Sequence, residues 1–430
     1  MKRWLALSCI AVALPAHAQQ SDATDGLGSV AAENPFGRDR NTSVLERNHP
    51  EYTPQPARIG ALEVLPRIAI GAGYDDNIYA QPSGREIGDA YVRIRPRVSV
   101  TRPSETLRLN LSGELDLLRY ADRTTENATQ YNLGASANYT ISRDNRLNLS
   151  LAHGRFLQER VSPDSPEQVI RPVRFTVTEG TAAYTRSFNR LRLQGIGSIE
   201  RRDYRDEVNT LGDVVDQDFR DRTTYTGTGI GEYALNPSVA LFIAGSYNVR
   251  DYRTRLGPVP ARSSTGWELA AGSSFELGRK MRGSLRAGYL QQDYDDPFFQ
   301  DVSGFLIRGE LAYFLSSLVT ITGAVDRSVS ETGIIGATAY LKTTTSLRAD
   351  YELLRSLILS AGAELEKRDF SGIERDDDRW TLRTSATYSV NHRLQLRADV
   401  QRRTQSSSGL NAGRNFADNR ISVGVTFLGL

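Results

Sequence analysis

From about residue 64 to the last residue, apolar and polar side chains alternate with period two. In "LRLNLSGELDLL", residues 107–118, Leu107, Leu109, Leu111, Leu115 and Leu117 share one face, and Arg108, Asn110, Ser112, Glu114 and Asp116 share the other. In "RWTLRTSATYSV", residues 379–390, Trp380, Leu382, Ala386, Tyr388 and Val390 stand opposite Arg379, Thr381, Arg383, Ser385 and Thr387. Successive residues of an extended chain point to opposite sides, so this is the pattern of strands with one face in each of two environments. Few segments hold a 3.6-residue period, and helices are accordingly few.

The alternation is punctuated. Tight polar turns fall at 102–105, 143–146, 188–190, 235–238, 277–280, 315–318, 353–356 and 390–393, and longer polar stretches such as "QERVSPDSPEQVIRP" lie between them. Short and long connections alternate strictly, with a hairpin repeat of about 40 residues. Eight short turns and nine long loops make about eighteen strands, within a range of 16–18.

Just before most short turns come an aromatic, a spacer and an aliphatic: Tyr139–Ile141, Tyr233–Leu235, Phe275–Leu277, Tyr313–Leu315, Tyr351–Leu353 and Tyr388–Val390. All lie on the apolar face. A soluble sandwich, propeller or β-helix has no reason to repeat a ring at one height on every second strand. A membrane barrel does, because a ring at the lipid–water boundary keeps one side apolar and its polar tip wet. The fold class expected is therefore all-β: a transmembrane antiparallel up-and-down β-barrel with short periplasmic turns and longer external loops. Closing the sheet also removes its exposed edges.

The ends and the charge agree. "MKRWLALSCIAVALPAHA", residues 1–18, has a basic start at Lys2 and Arg3, a short apolar core and a small-residue "AHA" end, as a cleaved export signal does. Cys9, the one cysteine, leaves with it. The chain has 53 Lys and Arg against 51 Asp and Glu, and losing Lys2 and Arg3 balances them. A nucleic-acid binder needs a basic excess, so the balance argues against that class. Residues 19–58, rich in Asp, Asn, Gly, Pro and Ala, are expected to form a disordered periplasmic arm, with a mere leader, a plug folded back into the barrel and a contact for a periplasmic export partner all left open by the sequence, and 59–430 the barrel.

The polar face should line the lumen, which in an eighteen-stranded barrel is wide enough to hold water. The candidate pore-lining residues are Arg93, Arg95 and Arg97, then Arg282 and Arg286, then Arg379 and Arg383, with Glu114, Asp116, Glu310, Glu364 and Glu366 as opposing acids. Cross-strand ion pairs can satisfy such charges; an arginine ladder can also guide an anionic solute. Tyr204, Tyr252, Tyr294 and Phe370, in "RRDYRD", "VRDYRT", "QQDYDD" and "KRDFSG", are candidate exit aromatics that could stack on sugar rings, or a plain strand–loop boundary. Tyr139, Tyr233, Phe275, Tyr313, Tyr351 and Tyr388 form the periplasmic girdle.

Adjacent Asp75 and Asp76 in "GAGYDDNIYA" invite a cation-site reading, but later ascending strands end in similar "RDY" and "QDYDD" stretches, so the pair marks a strand end. His49, His153 and His392 have no metal-ligand spacing. His153 falls in the outward phase, where barrel phospholipases carry a Ser/His pair, yet no nucleophile motif accompanies it. No catalytic residue, metal or cofactor is expected, and the chain is read as no enzyme.

The run "SVLERNHPEYTPQPARIGALEVLPRIAIGAGYDDNIYA", residues 43–80, resembles the opening of the putative β-barrel porin 2 family through "VLER", "PEY", the glycine before an apolar first strand, and "GYDDNIYA". The resemblance implies a channel-like outer-membrane barrel and, because some members are associated with capsular or exopolysaccharide production, a conduit for polysaccharide export. A general diffusion porin and a non-conducting structural or adhesive barrel are the alternatives. Expected partners are outer-membrane lipid, the barrel-assembly machinery and, through the arm, periplasmic polysaccharide-export proteins.

Overall fold

The computed structural model describes residues 42–166 and 169–429. The expected signal, residues 1–18, lies outside them, as does 19–41 of the expected arm. The strands of the wall are β1 (Leu62–Asp75), β2 (Asp89–Arg102), β3 (Leu107–Tyr120), β4 (Ala128–Ser142), β5 (Asn145–Leu157), β6 (Arg174–Phe188), β7 (Leu191–Tyr204), β8 (Arg222–Asn236), β9 (Val239–Tyr252), β10 (Ser264–Leu277), β11 (Met281–Tyr294), β12 (Val302–Phe314), β13 (Val319–Glu331), β14 (Ala339–Leu354), β15 (Leu357–Phe370), β16 (Asp376–Asn391), β17 (Leu394–Ser408) and β18 (Phe416–Leu428). Each pairs antiparallel with the next, and β18 returns to β1 in a register running from Arg67↔Leu428 to Asp75↔Arg420. The result is a closed 18-strand antiparallel barrel. No described helix is long and apolar enough to cross a membrane; the strands make the wall.

The outward face is the apolar one. Ile68, Ile70, Leu111, Leu133, Leu269 and Val423 are all exposed on it. The girdle rings stand on this face at the short-turn end, opposite aliphatic partners: Tyr139 with Leu107 and Leu147, Tyr351 with Val319 and Leu359, Tyr388 with Leu357 and Leu396. Tyr233 sits between Leu191 and Leu241, Phe275 beside Val239, and Tyr313 between Met281 and Ile321. The aromatic–spacer–aliphatic repeat has a geometric cause. Ile141, Leu235, Leu353 and Val390 are each the extra residue at a register shift just before the turn. A bulge sharpens strand twist where the chain must reverse. A second belt, not foreseen, circles the other end: Tyr225, Tyr247, Trp267, Tyr289, Phe305 and Trp380 are outward and exposed.

Two departures fill parts of the lumen. The expected disordered arm meets ordered chain from residue 42 onward. Ala57–Ile59 pairs with Leu62–Val64, and Gln55 lies near Gly429 beside β1. Val44, however, is buried and donates its N–H to Thr320 Oγ1 on β13, while Glu46 pairs with Arg282 on β11 at 2.7 Å and Arg47 pairs with Glu352 on β14. Residues 44–55 therefore cross the periplasmic mouth from one wall to the other. Side chains of both signs find fixed partners there, which a composition reading of a polar segment cannot foresee.

At the opposite end, pairing between β12 and β13 stops at Ile307↔Arg327, whereas β13 and β14 stay paired up to Glu331↔Ala339. The tip of that hairpin leans inward. Val329 packs with Leu290, Phe299, Val302 and Leu306, and Leu341 packs against the same cluster. One sector of the outer lumen is thus a small apolar core.

Candidate functional site

Cross-strand partners in an antiparallel ladder share a face, so the register fixes what the lumen sees. Arg67 stands opposite Arg97, Ala69 opposite Arg95, and Gly71 opposite Arg93. On the next strand Arg97 faces Glu114 at 3.6 Å, and Arg93 donates its Nε to Asp116 at 2.7 Å. Arg383 donates to Gln401 Oε1 at 3.0 Å, and Arg397 pairs with Asp399 at 2.6 Å. Among the described residues, Arg67, Arg95 and Arg383 have no carboxylate within 4.0 Å. All three are half-exposed to the lumen. Arg67 and Arg97 are like charges directly opposite each other, an arrangement that costs stability unless something else compensates.

The predicted pore-lining set all falls in the inward phase, but its members differ. Arg282 is taken by Glu46 of the arm. Arg286 is buried opposite Arg308, which itself pairs with Asp326. Glu366 is buried and paired with Arg368. Arg379 donates to Gln405 Oε1 at 2.7 Å and to the Val161 carbonyl. Glu310 is exposed and Glu364 half-exposed in the lumen. Sequence reasoning passed over Arg67, Arg397, Arg403 and Arg420, although the phase of "LPRIAIG", "LQLRADV", "VQRRTQ" and "DNRISV" would have found them.

In the long loop 158–173, the described residues 158–166 and 169–173 turn into the lumen, which the alternation did not foresee. Arg160 forks onto Glu126 at 2.7 and 3.0 Å, with both groups buried. Val161 is buried against Ala80 and Phe416. Asp164 accepts hydrogen bonds from Thr332 Oγ1 at 2.5 Å and Gly333 N at 3.0 Å. Gln158 accepts from Arg220 at 2.9 Å. These partners belong to connections and strands all round the barrel, so the loop narrows the external half. Glu159 Oε2 lies 3.0 Å from Arg403 on β17, which also forks onto Asp418 at 2.9 Å. Desolvation inside the barrel pushes the Glu159 carboxyl up, but Arg403, Arg420 and Arg379 outweigh it and hold it at about 2.

The four exit aromatics are inward but covered. Tyr204 stacks on Phe175 at 5.0 Å with Arg220 4.0 Å above its ring; Tyr252 and Tyr294 donate to Glu331; Phe370 packs on Tyr340 at 4.9 Å under Arg375. All are at most 8% exposed. A free stacking platform is therefore corrected to a set of packed rings, because loop side chains and the inward-leaning β13–β14 tip cover them.

Asp75 does end a strand, yet it is fully buried, 2.5 Å from Arg420. Asp76 accepts from the backbone N–H and side-chain Nδ2 of Asn419 at 2.7 and 2.6 Å. The pair clasps the first strand to the last. His153 lies between Tyr131 Oη at 3.2 Å and Thr178 Oγ1 at 2.8 Å. Asp206, Asp216 and Asp218 bring exposed carboxylates within 4.8 Å of one another; Asp206 accepts the backbone N–H of Gln217, and Asp216 that of Asp218.

Residues 49–428 match the family model described as "Putative beta-barrel porin 2". The chain belongs to that family. It is an outer-membrane β-barrel porin, crossing the membrane many times with strands. No curated protein matches it. Among solved structures, it is similar to the siderophore receptor PirA from Pseudomonas aeruginosa, at 11% identity over 87% of this chain and 81% of that one, with a TM-score of 0.44. It is likewise similar to OccK2 (OpdF) from Pseudomonas aeruginosa, at 11% identity over 85% and 97%, with a TM-score of 0.46. At these scores the likeness carries no functional meaning.

Proposed function

We propose that this porin is a passive conduit for export of a capsular or extracellular polysaccharide. One observation carries the reading. Beside the arginines, the inward faces of β3–β5 present an open track of neutral hydrogen-bonding groups: Asn132, Asn138, Asn148 and Ser150 are exposed, and Asn110, Ser112 and Ser136 half-exposed. Amides and hydroxyls exchange hydrogen bonds with sugar hydroxyls about as readily as with water, so a sugar chain can slide along them without a deep trap. The chain has no catalytic role in this reading; it guides, and the driving force comes from elsewhere. It is inserted by the barrel-assembly machinery, faces outer-membrane lipid, and meets periplasmic export proteins through the segment that leads into its mouth.

Deleting the gene and measuring surface and secreted polysaccharide tests the proposal. Export falls sharply if it holds. Normal polymer with impaired uptake of small solutes would instead favour a general diffusion porin, and purified protein without conductance a structural or adhesive barrel.

A further inference from the structure

The arginine strip says more about the cargo than the neutral track does. On the inward faces of β16–β18, β1 and β2 the arginines run from the periplasmic third, at Arg67 and Arg97, to the external third, at Arg403 and Arg420. Six of the nine can be matched with acids or loop contacts, but Arg67, Arg95 and Arg383 cannot, as described above. The wall beside them is cut back to small residues. Ala69 and Gly71 oppose Arg95 and Arg93, and Gly424 opposes both Gly71 and Arg397. A Cβ on Gly71 would meet the Val423 carbonyl at 3.1 Å, and one on Gly424 the Ile70 carbonyl at 3.0 Å. The result is a trough floored by backbone and edged by guanidinium groups.

One carboxylate already lies at its outer end. Glu159, carried in by the loop rather than by the wall, reaches Arg403 at 3.0 Å, and 41% of its side-chain surface stays open to the lumen. Arg403 has its own wall partner in Asp418, so Glu159 is an additional acid on this wall. Guanidinium groups recognise carboxylates by forked, charge-assisted hydrogen bonds.

We propose that the strip through Arg67, Arg95 and Arg383 binds a carboxylate-bearing polysaccharide, a chain of uronic-acid type, and that Glu159 occupies the external end of the same site as a tethered competitor. The inference rests on the conduit reading and names the class of polymer. Successive carboxylates of the chain pass from one guanidinium to the next, and the last exchange displaces Glu159 from Arg403.

Full-length protein in planar bilayers tests this with hexagalacturonate, maltohexaose as neutral hexamer and inorganic phosphate as small anion. Hexagalacturonate should block the wild-type pore at about tenfold lower concentration than maltohexaose. The Arg67→Gln/Arg95→Gln/Arg383→Gln variant should lose that difference, the corresponding triple Lys variant should recover part of it, and Glu159→Gln should block at lower hexagalacturonate still. Retained heat-modifiable migration of each variant reports that the barrel is folded. Equal block by the two hexamers, or an undiminished preference in the Gln variant, overturns the site and leaves the conduit reading standing. Block by phosphate at the same charge concentration overturns a polymeric ligand in favour of a small anion. The conduit reading fails separately, when a deletion strain keeps its polymer.

Discussion

Two sectors of one lumen treat buried arginine in opposite ways. On β9–β14, Arg250 is 1% exposed and pairs with Glu331, whose carboxylate also accepts hydrogen bonds from Tyr252 and Tyr294. Leu290, Leu306 and Val329 pack beside this group, and the sector is a solid core. On β16–β18, β1 and β2, inward arginines are more numerous, and several keep open faces toward the lumen. The difference is made by what leans in. The β13–β14 tip closes the first sector, while the second receives one loop and one acid, Glu159. Charge inside a barrel is structural where the chain folds over it and available where it does not.

The comparison is broken most directly at Glu331. Glu331→Ala removes the carboxylate that neutralises buried Arg250 and should destabilise the barrel by about 3–5 kcal/mol, read as a lower transition in thermal unfolding of the detergent-solubilised protein. A single Arg95→Gln change on the open wall should shift that transition little. Similar losses at both sites would mean that the two sectors are equally structural. Next in size, replacing residues 161–171 with a short Gly-Ser link should raise single-channel conductance roughly twofold or more, because the loop occupies the external half; unchanged conductance would place the narrowest point elsewhere, with the arm the next candidate.

The smallest effect is a pH response of the loop clasp. The Glu159 carboxyl is held at about 2, below its ordinary 4.5. A depressed acid contributes stability that is full above the unfolded value and is lost as pH falls through the folded one. Loop-dependent current noise should therefore be steady from pH 7 to 5 and grow only between about 4.5 and 2. Growth already at pH 6 would assign the clasp to another group.

How much of this was readable depends on range. Strand number, the eight turns, the outward girdle and the inward phase of Arg93, Arg95 and Arg97 follow from a period of two, which is a local property of an extended chain. The same period places Arg67 and Arg420 on the inward face, in phase with Ala69 and Gly71 on β1 and with Ser422 and Gly424 on β18. The "GAGYDDNIYA" stretch was half legible: its strand end was visible, but its role as a clasp needed Arg420 and Asn419, more than 340 residues away.

By itself, then, the sequence determined a closed sheet with a lipid face and a wet face, because alternation plus regular punctuation permits little else. Only the tertiary structure decided which wet-face charges are spent. That depends on where loop 158–173, the β13–β14 tip and residues 44–55 come to rest. Their polar side chains find partners across the lumen, and no local period records a contact made across a barrel.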